Sequence, residues 1–182
     1  VTGLLQGSFG NSLAAQQPVA DLLGGRLLNS AVLVSCAAIV AVPLAIAIGA
    51  WAALHREKPF DNVSTTLMLM SAALPEFVVA VLLVIVFSTT LLHVLPAISS
   101  VPPGSLPWDN PGGLVLPVAT LVIGVTPYIA RIMRVSMIEV LQSDYVEMAR
   151  LKGLPERTVL MRHALPNAIG PVLQVIAISL AY

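Results

Sequence analysis

The chain has 182 residues, of which 57% are hydrophobic and only 10% are charged, with nine basic and nine acidic side chains. Soluble domains carry about 25% charged residues, so this composition cannot supply a water-facing surface and excludes an ordinary globular enzyme. The apolar content also excludes a disordered chain, and the net charge of zero excludes bulk nucleic-acid binding. A single cysteine, Cys36, excludes an intrachain disulfide framework. The composition therefore indicates a membrane protein.

Long stretches with few or no charges predict four membrane-spanning helices. A crossing takes about 20 apolar residues at about 1.5 Å each. We expect the spans at residues 27–54, 65–92, 114–132 and 167–182. The first two are longer than a straight crossing requires, and each contains a proline, Pro43 or Pro75, which predicts a tilt or a break. We expect one transmembrane domain over residues 1–182, truncated at both ends.

The distribution of basic residues predicts which connections face the cytoplasm. Eight of the nine lie in or beside the connections that follow the first and third spans: Arg56, Lys58, Arg131, Arg134, Arg150, Lys152, Arg157 and Arg162. By the positive-inside rule these connections, including residues 139–166, are cytoplasmic. Residues 1–26 and the proline-rich loop at residues 96–113 then lie on the extracytoplasmic side.

The most polar stretch, within residues 139–166, predicts a helical hairpin outside the membrane. Asp144 and Glu147 have the spacing of a capping box, and a short helix follows them. Gly153 supplies the left-handed residue that ends this helix, and Pro155 suits the first turn of a second one.

One face of the first hairpin helix is suited to contact a partner. Tyr145, Met148 and Ala149 share this face at i, i+3 and i+4 spacing. The small size of Ala149 and Gly153 allows another backbone to approach. Such a helix rests on the lipid surface or inserts into a groove of another protein. Composition alone favours the lipid surface.

The spacing within the hairpin resembles the EAA loop of permease subunits of bacterial binding-protein-dependent ABC importers. The pattern of that family is Glu-Ala-Ala, three residues, Gly, nine residues, then Ile-x-Leu-Pro. The positions in register are Glu147, Ala149, Gly153, Leu165 and Pro166. Met148 stands where the pattern has its first Ala, and His163 stands where it has Ile.

Other segments resemble the dipeptide, oligopeptide and nickel branch of the family. They are residues 7–12, 18–19, 74–77, 95–97, 116–117, 131–134 and 144–146. The resemblance implies an all-α fold, a polytopic transmembrane helical bundle with a cytoplasmic coupling-helix hairpin, similar to type I ABC importer permeases. It implies a location in the inner membrane of a bacterium or archaeon.

The resemblance implies a subunit of an ATP-driven importer that forms the translocation pathway for a small solute. Di- or oligopeptides are the leading cargo, ahead of nickel complexes, opines and sugars. The implied partners are ATPase subunits, a second permease subunit and an extracytoplasmic solute-binding protein. The sequence contains no GxxxxGK[ST] phosphate loop, so ATP and magnesium are expected in the ATPase subunits. No catalytic residue, cofactor or metal is expected in this chain, whose three histidines lie apart.

The resemblance also assigns the contact with the ATPase to the hairpin. The coupling residues on this assignment are Asp144, Tyr145, Glu147, Met148, Ala149, Gly153, Leu165 and Pro166. Glu147 is expected to cap the helix and to contact the ATPase. The alternative is a local cap that contacts no partner.

Glu76 is the only acid inside a predicted span. A charge at mid-membrane costs about 2.5–3.5 kcal/mol, so it usually faces a cavity or a partner. Backbone carbonyls freed by Pro75 can line a path beside it. We therefore expect Glu76 and Pro75 in the translocation pathway, with the carboxylate binding a cationic or amine group of the cargo. The alternative is a structural residue, protonated or hydrogen-bonded to a neighbouring helix.

Other functions are weaker fits to the residues. A proton-coupled secondary transporter would use Glu76 as its relay, and one isolated acid is thin support for it. An intramembrane hydrolase would need paired catalytic groups, and the predicted spans contain no lysine and no aspartate. A purely structural membrane scaffold would leave the spacing of the hairpin unexplained.

Overall fold

The computed structural model describes residues 10, 12, 18–90, 92–99 and 106–181, apart from the side chains at 21, 22, 180 and 181. Its helices are α1 (Val19–Leu54), α2 (Pro59–Ala73), α3 (Glu76–Val84), α4 (Pro111–Leu141), α5 (Asp144–Leu151), α6 (Glu156–Thr158) and α7 (Leu165–Ala181). A π-helical turn, Ile85–Thr90, extends α3, and another, Val159–Ala164, joins α6 to α7. A short 3-10 turn, Pro107–Asp109, precedes α4. The described chain is a helical bundle, which confirms the predicted fold class.

Helix α4 lies at the centre of the bundle, because α1, α2, α3 and α7 all pack against it. The buried core along this helix consists of Ala45, Ala53, Met68, Ile129, Ala130, Met133, Met137, Ala164, Ala168 and Val172. Half of these residues are alanines. Small side chains allow membrane helices to approach closely and gain van der Waals contact.

The crossing of α1 and α4 requires a glycine. A Cβ atom on Gly49 would lie 2.7 Å from the Cβ of Met133 and would press on the carbonyl oxygen of Ala130. Neither neighbouring atom can move without displacing α4 itself. Gly49 and the fully buried Ala45 are small residues of α1 that allow this close approach.

Two described helices are long and apolar enough to cross a membrane, Leu23–Leu54 and Pro111–Leu141. They contain the first and third predicted spans. Pro43 lies inside α1 without ending it. Helix α7 has 17 residues, or about 26 Å at 1.5 Å per residue, so the fourth span stays a prediction.

The second predicted span, residues 65–92, is not one helix. Helix α2 ends at Ala73, Leu74 is extended with φ −87° and ψ 129°, and Glu76–Thr90 continues at an angle of 98°. Pro75 explains the break, since it has no N–H and disfavours the helical conformation of the residue before it. Of the two expected outcomes, a tilt or a break, the structure has the break. The two pieces form a third candidate span if they cross together.

A hydrogen bond joins α2 to α4 just before this break. Pro127 has no N–H, so the carbonyl oxygen of Ile123, four residues earlier, lacks its helical donor. The hydroxyl of Ser71 donates to that oxygen over 3.3 Å. Serine hydroxyls are one means by which membrane helices tolerate proline. Here the bond also attaches the end of α2 to the central helix.

The two basic connections lie at the same end of the bundle. Asp61, near the start of α2, is paired with Arg134, two turns before the end of α4. At the opposite end, a Cβ on Gly112 at the start of α4 would lie 3.9 Å from Pro96. This arrangement agrees with the prediction that both basic connections share one side of the membrane.

Part of the predicted extracytoplasmic segment lies outside the described residues. Residues 19–26 are the first turns of α1, and the N–H of Val19 donates to the carbonyl oxygen of Gly10 over 2.9 Å. Of residues 7–12, which carry part of the resemblance, the structure describes Gly10 and Ser12. Residues 100–105 of the proline-rich loop also lie outside the described residues.

Candidate functional site: the hairpin and the cavity at Glu76

Short connections join the hairpin to the helices on either side of it. Only two residues, Gln142 and Ser143, separate the end of α4 from α5. On the other side, α6 continues through the π-helical turn directly into α7. Helix α5 is therefore joined to α4 by two residues, and to α7 through the turn at residues 152–155, α6 and the π-helical turn.

The predicted capping box is wrong. Ser143, not Asp144, is the N-cap of α5, and no side chain caps its first turn. The hydroxyl of Ser143 instead donates to the carbonyl oxygen of Val140, at the end of α4. Asp144 and Glu147 both lie in the first turn, where a negative charge is favoured by the helix dipole. The tight turn from α4 decides this boundary, and the spacing of acidic residues does not reveal where α4 ends.

The predicted turn at Gly153 is confirmed. Its φ is +76°, and its N–H donates to the carbonyl oxygen of Arg150 over 2.9 Å. A Cβ at this position would meet nothing within 4 Å. Any larger residue would therefore be penalised by the left-handed backbone and not by crowding.

An ion pair spans the turn. The guanidinium of Arg150 donates twice to the carboxylate of Glu156, over 2.7 and 3.2 Å. This pairing holds the pKa of the Glu156 carboxyl below its usual value. Both side chains are about half exposed, so the pair contributes less than about 1 kcal/mol. Its two-point geometry orients α5 relative to α6.

Helix α5 has one face against its own subunit and one face in the open. Val146 and Ala149 are buried against Val159. The exposed fractions of Tyr145, Met148 and Leu151 are 43%, 54% and 75%. We call these last three residues the outer face.

Ala149 was expected beside Tyr145 and Met148, and that placement is wrong. It lies on the inner side, one turn after Val146, where its small side chain admits Val159. The carboxyl-bearing Asp144 and Glu147 are both exposed. The outer face thus keeps two of the three residues predicted for it and gains Leu151.

The start of α7 is tied to α5 through one carbonyl. The oxygen of His163 accepts a hydrogen bond from the side-chain amide of Asn167 over 2.7 Å and a longer one, 3.5 Å, from the hydroxyl of Tyr145. Leu165 packs against the main core, and Pro166 follows it in the first turn of α7. Leu165 and Pro166, which match the Leu-Pro of the EAA pattern, therefore lie where the hairpin joins the bundle.

A buried ion pair between Asp61 and Arg134 was missed by the sequence analysis. Asp61 is 2% exposed and accepts hydrogen bonds from Arg134 Nη2 over 2.7 Å, from the N–H of Glu57 over 2.9 Å and from Thr65 over 3.4 Å. The pair attaches the α1–α2 turn to the central helix. The sequence contains one signal for this pair. Asp61 lies just before the second predicted span and Arg134 just after the third, and a charge near the membrane requires a partner.

Glu76 lines a cavity of about 330 Å³ between α1, α4 and α7. The other lining residues are Val34, Ala37, Ala38, Ala41, Val42, Leu121, Val125, Ile129, Ile176 and Ser179. The carboxylate lies against Gly124 of α4. Within the part of the chain that the structure describes, no group donates a hydrogen bond to it. Glu76 thus lines a cavity, and its place in the translocation pathway stays a prediction.

Pro75 is not among the described residues that line this cavity, and the expectation that carbonyls freed by Pro75 line a path stays a prediction. In a continuous helix the N–H of residue 75 would donate to the carbonyl of Ser71. Pro75 has no N–H, and this carbonyl accepts from the N–H of Leu74 over 3.2 Å. Its own carbonyl accepts from Val78 and Val79. Pro75 instead acts through the break, because it places Glu76 at the first position of α3.

The structure is thus a bundle of long apolar helices with a polar hairpin between α4 and α7. The chain belongs to the family described as the inner membrane component of binding-protein-dependent transport systems, whose model matches residues 45–182. It is therefore an inner-membrane protein.

The chain is similar to permease proteins named for glutathione transport. It is 34% identical to the glutathione transport system permease protein GsiC of Salmonella choleraesuis (strain SC-B67) and 32% identical to that of Escherichia coli (strain K12), in each case over 182 residues. Each comparison covers all of this chain and 56% of the relative. The chain thus spans a little over half the length of these relatives.

Proposed function

We propose that this chain forms part of the permease of an ATP-driven importer that takes a peptide-like solute across the inner membrane. The family membership supports the transport role, and the names of the relatives support a peptide-like cargo. The observation that carries the proposal is the outer face of α5, which is apolar and uncovered although α5 is firmly joined to two bundle helices.

The outer face is suited to dock on an ATPase subunit. Tyr145, Met148 and Leu151 present apolar surface, and Glu147 and Asp144 add acidic groups at the same helix start. An amphipathic helix presented in this way fits a groove on a partner protein. The hairpin is cytoplasmic in this arrangement, as the basic residues around it predict.

Motion of the ATPase then reaches the membrane through rigid parts. Gly153 sets the turn, the Arg150–Glu156 pair orients its two arms, and Leu165 anchors the second arm in the core. Ala149 acts as a positioning residue, because it fixes α5 on Val159. Rigid-body movement of α5 would tilt α4 and α7 together, which is the kind of motion that alternating access requires.

The translocation pathway in this proposal includes the cavity at Glu76, with Pro75 as the residue that places Glu76 there. The complete importer would contain ATPase subunits that bind ATP and magnesium, a second permease subunit and an extracytoplasmic solute-binding protein. This chain itself has no catalytic role in the proposal. Its contribution is the pathway and the mechanical link.

Replacing Gly153 by valine tests the link. A β-branched residue at φ +76° is strongly disfavoured, so we expect the turn to change and α5 to lose its orientation. In proteoliposomes with the complete transporter, ATP hydrolysis should persist while ATP-driven uptake of glutathione or a dipeptide falls at least about tenfold, equivalent to about 1.4 kcal/mol.

The control is Gly24→Val, which adds the same side chain where α1 leaves open space and should leave uptake near normal. Unchanged uptake by Gly153→Val would contradict the coupling role. Uptake driven by a pH gradient without ATP would favour the other candidate, a proton-coupled transporter that uses Glu76.

A further inference from the structure

We propose that the cavity at Glu76 is a binding site for the primary ammonium group of the cargo, and that Gly124 is a specificity-determining residue because it makes room for the carboxylate. The inference rests on the proposed import function and names the chemistry of one of its sites. Its basis is the composition of the cavity wall, the contact with Gly124 and the position of Glu76 on α3.

The cavity has one charged group in an apolar wall. Among the eleven described residues that line it, Glu76 is the single ionisable one and Ser179 the single other polar one. The Glu76 side chain is exposed in the chain by itself, so a cation can reach the carboxylate, and the aliphatic side chains of the wall offer no competing charge. The cavity thus favours a cationic group over an anionic one.

Two features of the fold support the carboxylate in this position. Glu76 is the first residue of α3, where the helix dipole favours a negative charge. A Cβ on Gly124 would lie 3.3 Å from Oε1, 3.5 Å from Cγ and 3.6 Å from Cδ of Glu76. The side chain therefore lies along the backbone of α4 at a position where α4 has no side chain.

The size and polarity of the cavity select a small cargo group. A volume of about 330 Å³ is at the lower end of the 300–1,000 Å³ range for small-molecule sites. A primary ammonium is compact and offers three donors to a carboxylate, and the aliphatic wall suits an apolar side chain next to it. None of the described lining residues is a cation, so a carboxylate at the other end of the cargo would be held elsewhere.

Chemical labelling of Glu76 tests this site in the unmodified transporter. The carboxyl group adds across one C=N bond of dicyclohexylcarbodiimide, its proton passes to nitrogen, and rearrangement leaves a stable N-acylurea that mass spectrometry can assign to Glu76. The complete complex in proteoliposomes is labelled alone, with glycyl-leucine and with N-acetyl-glycyl-leucine.

We expect glycyl-leucine at about twice its Kd to slow the labelling of Glu76 about threefold, because the free fraction falls as 1/(1 + [L]/Kd). The acetylated peptide, which has lost the ammonium, should not slow it. Glu57, whose side chain is 82% exposed, is the control in the same sample and should react at the same rate in all three. In Gly124→Val, which displaces the carboxylate, the protection should fall towards that of the acetylated peptide.

Several results would overturn the inference. Equal protection by both peptides would show that the ammonium is not recognised, and no protection would show that the cargo does not enter. Absence of labelling at Glu76 in a sample in which Glu57 is labelled would show that protein closes the cavity. Full protection in Gly124→Val would remove the role of Gly124. ATP-driven uptake is measured separately in the same vesicles, so loss of the import function and loss of the ammonium site are distinguishable.

Discussion

At the scale of single residues, Asp61 shows how a buried charge is made acceptable in an apolar bundle. Its carboxylate accepts hydrogen bonds from Arg134, from the backbone of Glu57 and from Thr65. The bond from Glu57 also holds that residue at φ +64°, in the left-handed region that side chains rarely adopt. One carboxylate therefore fixes both the conformation of the α1–α2 turn and its attachment to α4.

Asp61→Asn should destabilise the protein, because it leaves the Arg134 guanidinium without a counter-charge. Breaking a buried pair costs about 3–5 kcal/mol, and we expect the lower end because 23% of the Arg134 side chain is exposed. The measurement is the thermal unfolding midpoint of the purified protein in detergent. Adding Arg134→Met to Asp61→Asn should recover part of the loss.

Glu57→Gln is the matched control. Among the described residues its carboxylate pairs with Arg56 alone, at 3.5 Å, and both side chains are well exposed, so removing the charge should change the unfolding midpoint little. If Asp61→Asn unfolds no more easily than Glu57→Gln, the Asp61–Arg134 pair has no structural role.

At the scale of elements, the contact between α1 and α4 determines how the bundle is assembled. The buried alanines of α1 and Gly49 allow the two helix backbones to approach until Ala130 and Met133 fill the space. Since α4 also contacts α2, α3 and α7, a change of spacing here would be transmitted to every other helix of the core.

Gly49→Ala is therefore expected to destabilise the protein by about 1–3 kcal/mol, the usual cost of overpacking a core. Its Cβ would lie 2.7 Å from the Cβ of Met133, and α1 would have to move away. Gly24→Ala makes the same change on the same helix in open space and should be neutral or slightly stabilising, because alanine favours a helix by about 1 kcal/mol. Equal unfolding midpoints for the two variants would contradict the close approach.

At the scale of the whole molecule, the bundle has two chemically different ends. The α1–α2 turn and the hairpin share one end and carry most of the basic residues, whereas the loop before α4 lies at the other. The positive-inside rule assigns the basic end to the cytoplasm. The cavity at Glu76 lies between these ends, among α1, α4 and α7.

Thiol labelling tests this orientation. In a background with Cys36→Ala, single cysteines are introduced as Glu57→Cys, Arg157→Cys and Asp109→Cys, all at exposed positions. A membrane-impermeant maleimide should label the first two in inside-out vesicles only, and the third in right-side-out cells only. Labelling of Glu57→Cys and Arg157→Cys from opposite sides would contradict the fold, and labelling of both from outside would contradict the orientation.

The features predicted correctly from the sequence are those with a local cause. Gly153 ends its helix because only glycine adopts φ +76° without strain. Long uncharged stretches predict long helices, as in α1 and α4, because apolar side chains and satisfied backbone groups are both required in a membrane. These causes operate within a few residues along the chain, and a sequence displays them directly.

The features that were missed or wrong depend on contacts between distant segments. Asp61 and Arg134 are 73 residues apart, and nothing local to either one names the other. Ala149 faces inward because Val159 reaches it across the hairpin turn. The cap at Ser143 depends on where α4 ends, and packing of α4 decides that position.

The prolines separate what the sequence determines locally from what the tertiary structure decides. Each one removes a backbone donor, a local fact that the sequence by itself determines, as it determines the membrane location, the helices and the hairpin. Whether the helix then breaks, as at Pro75, or continues, as at Pro127 where Ser71 donates to the carbonyl of Ile123, was decided by the tertiary structure. The tertiary structure also decided which residue pairs with Asp61, which face of α5 stays open and which residues line the cavity at Glu76. The reason is that each depends on which distant atoms come within a few ångströms, and only the packed bundle brings them there.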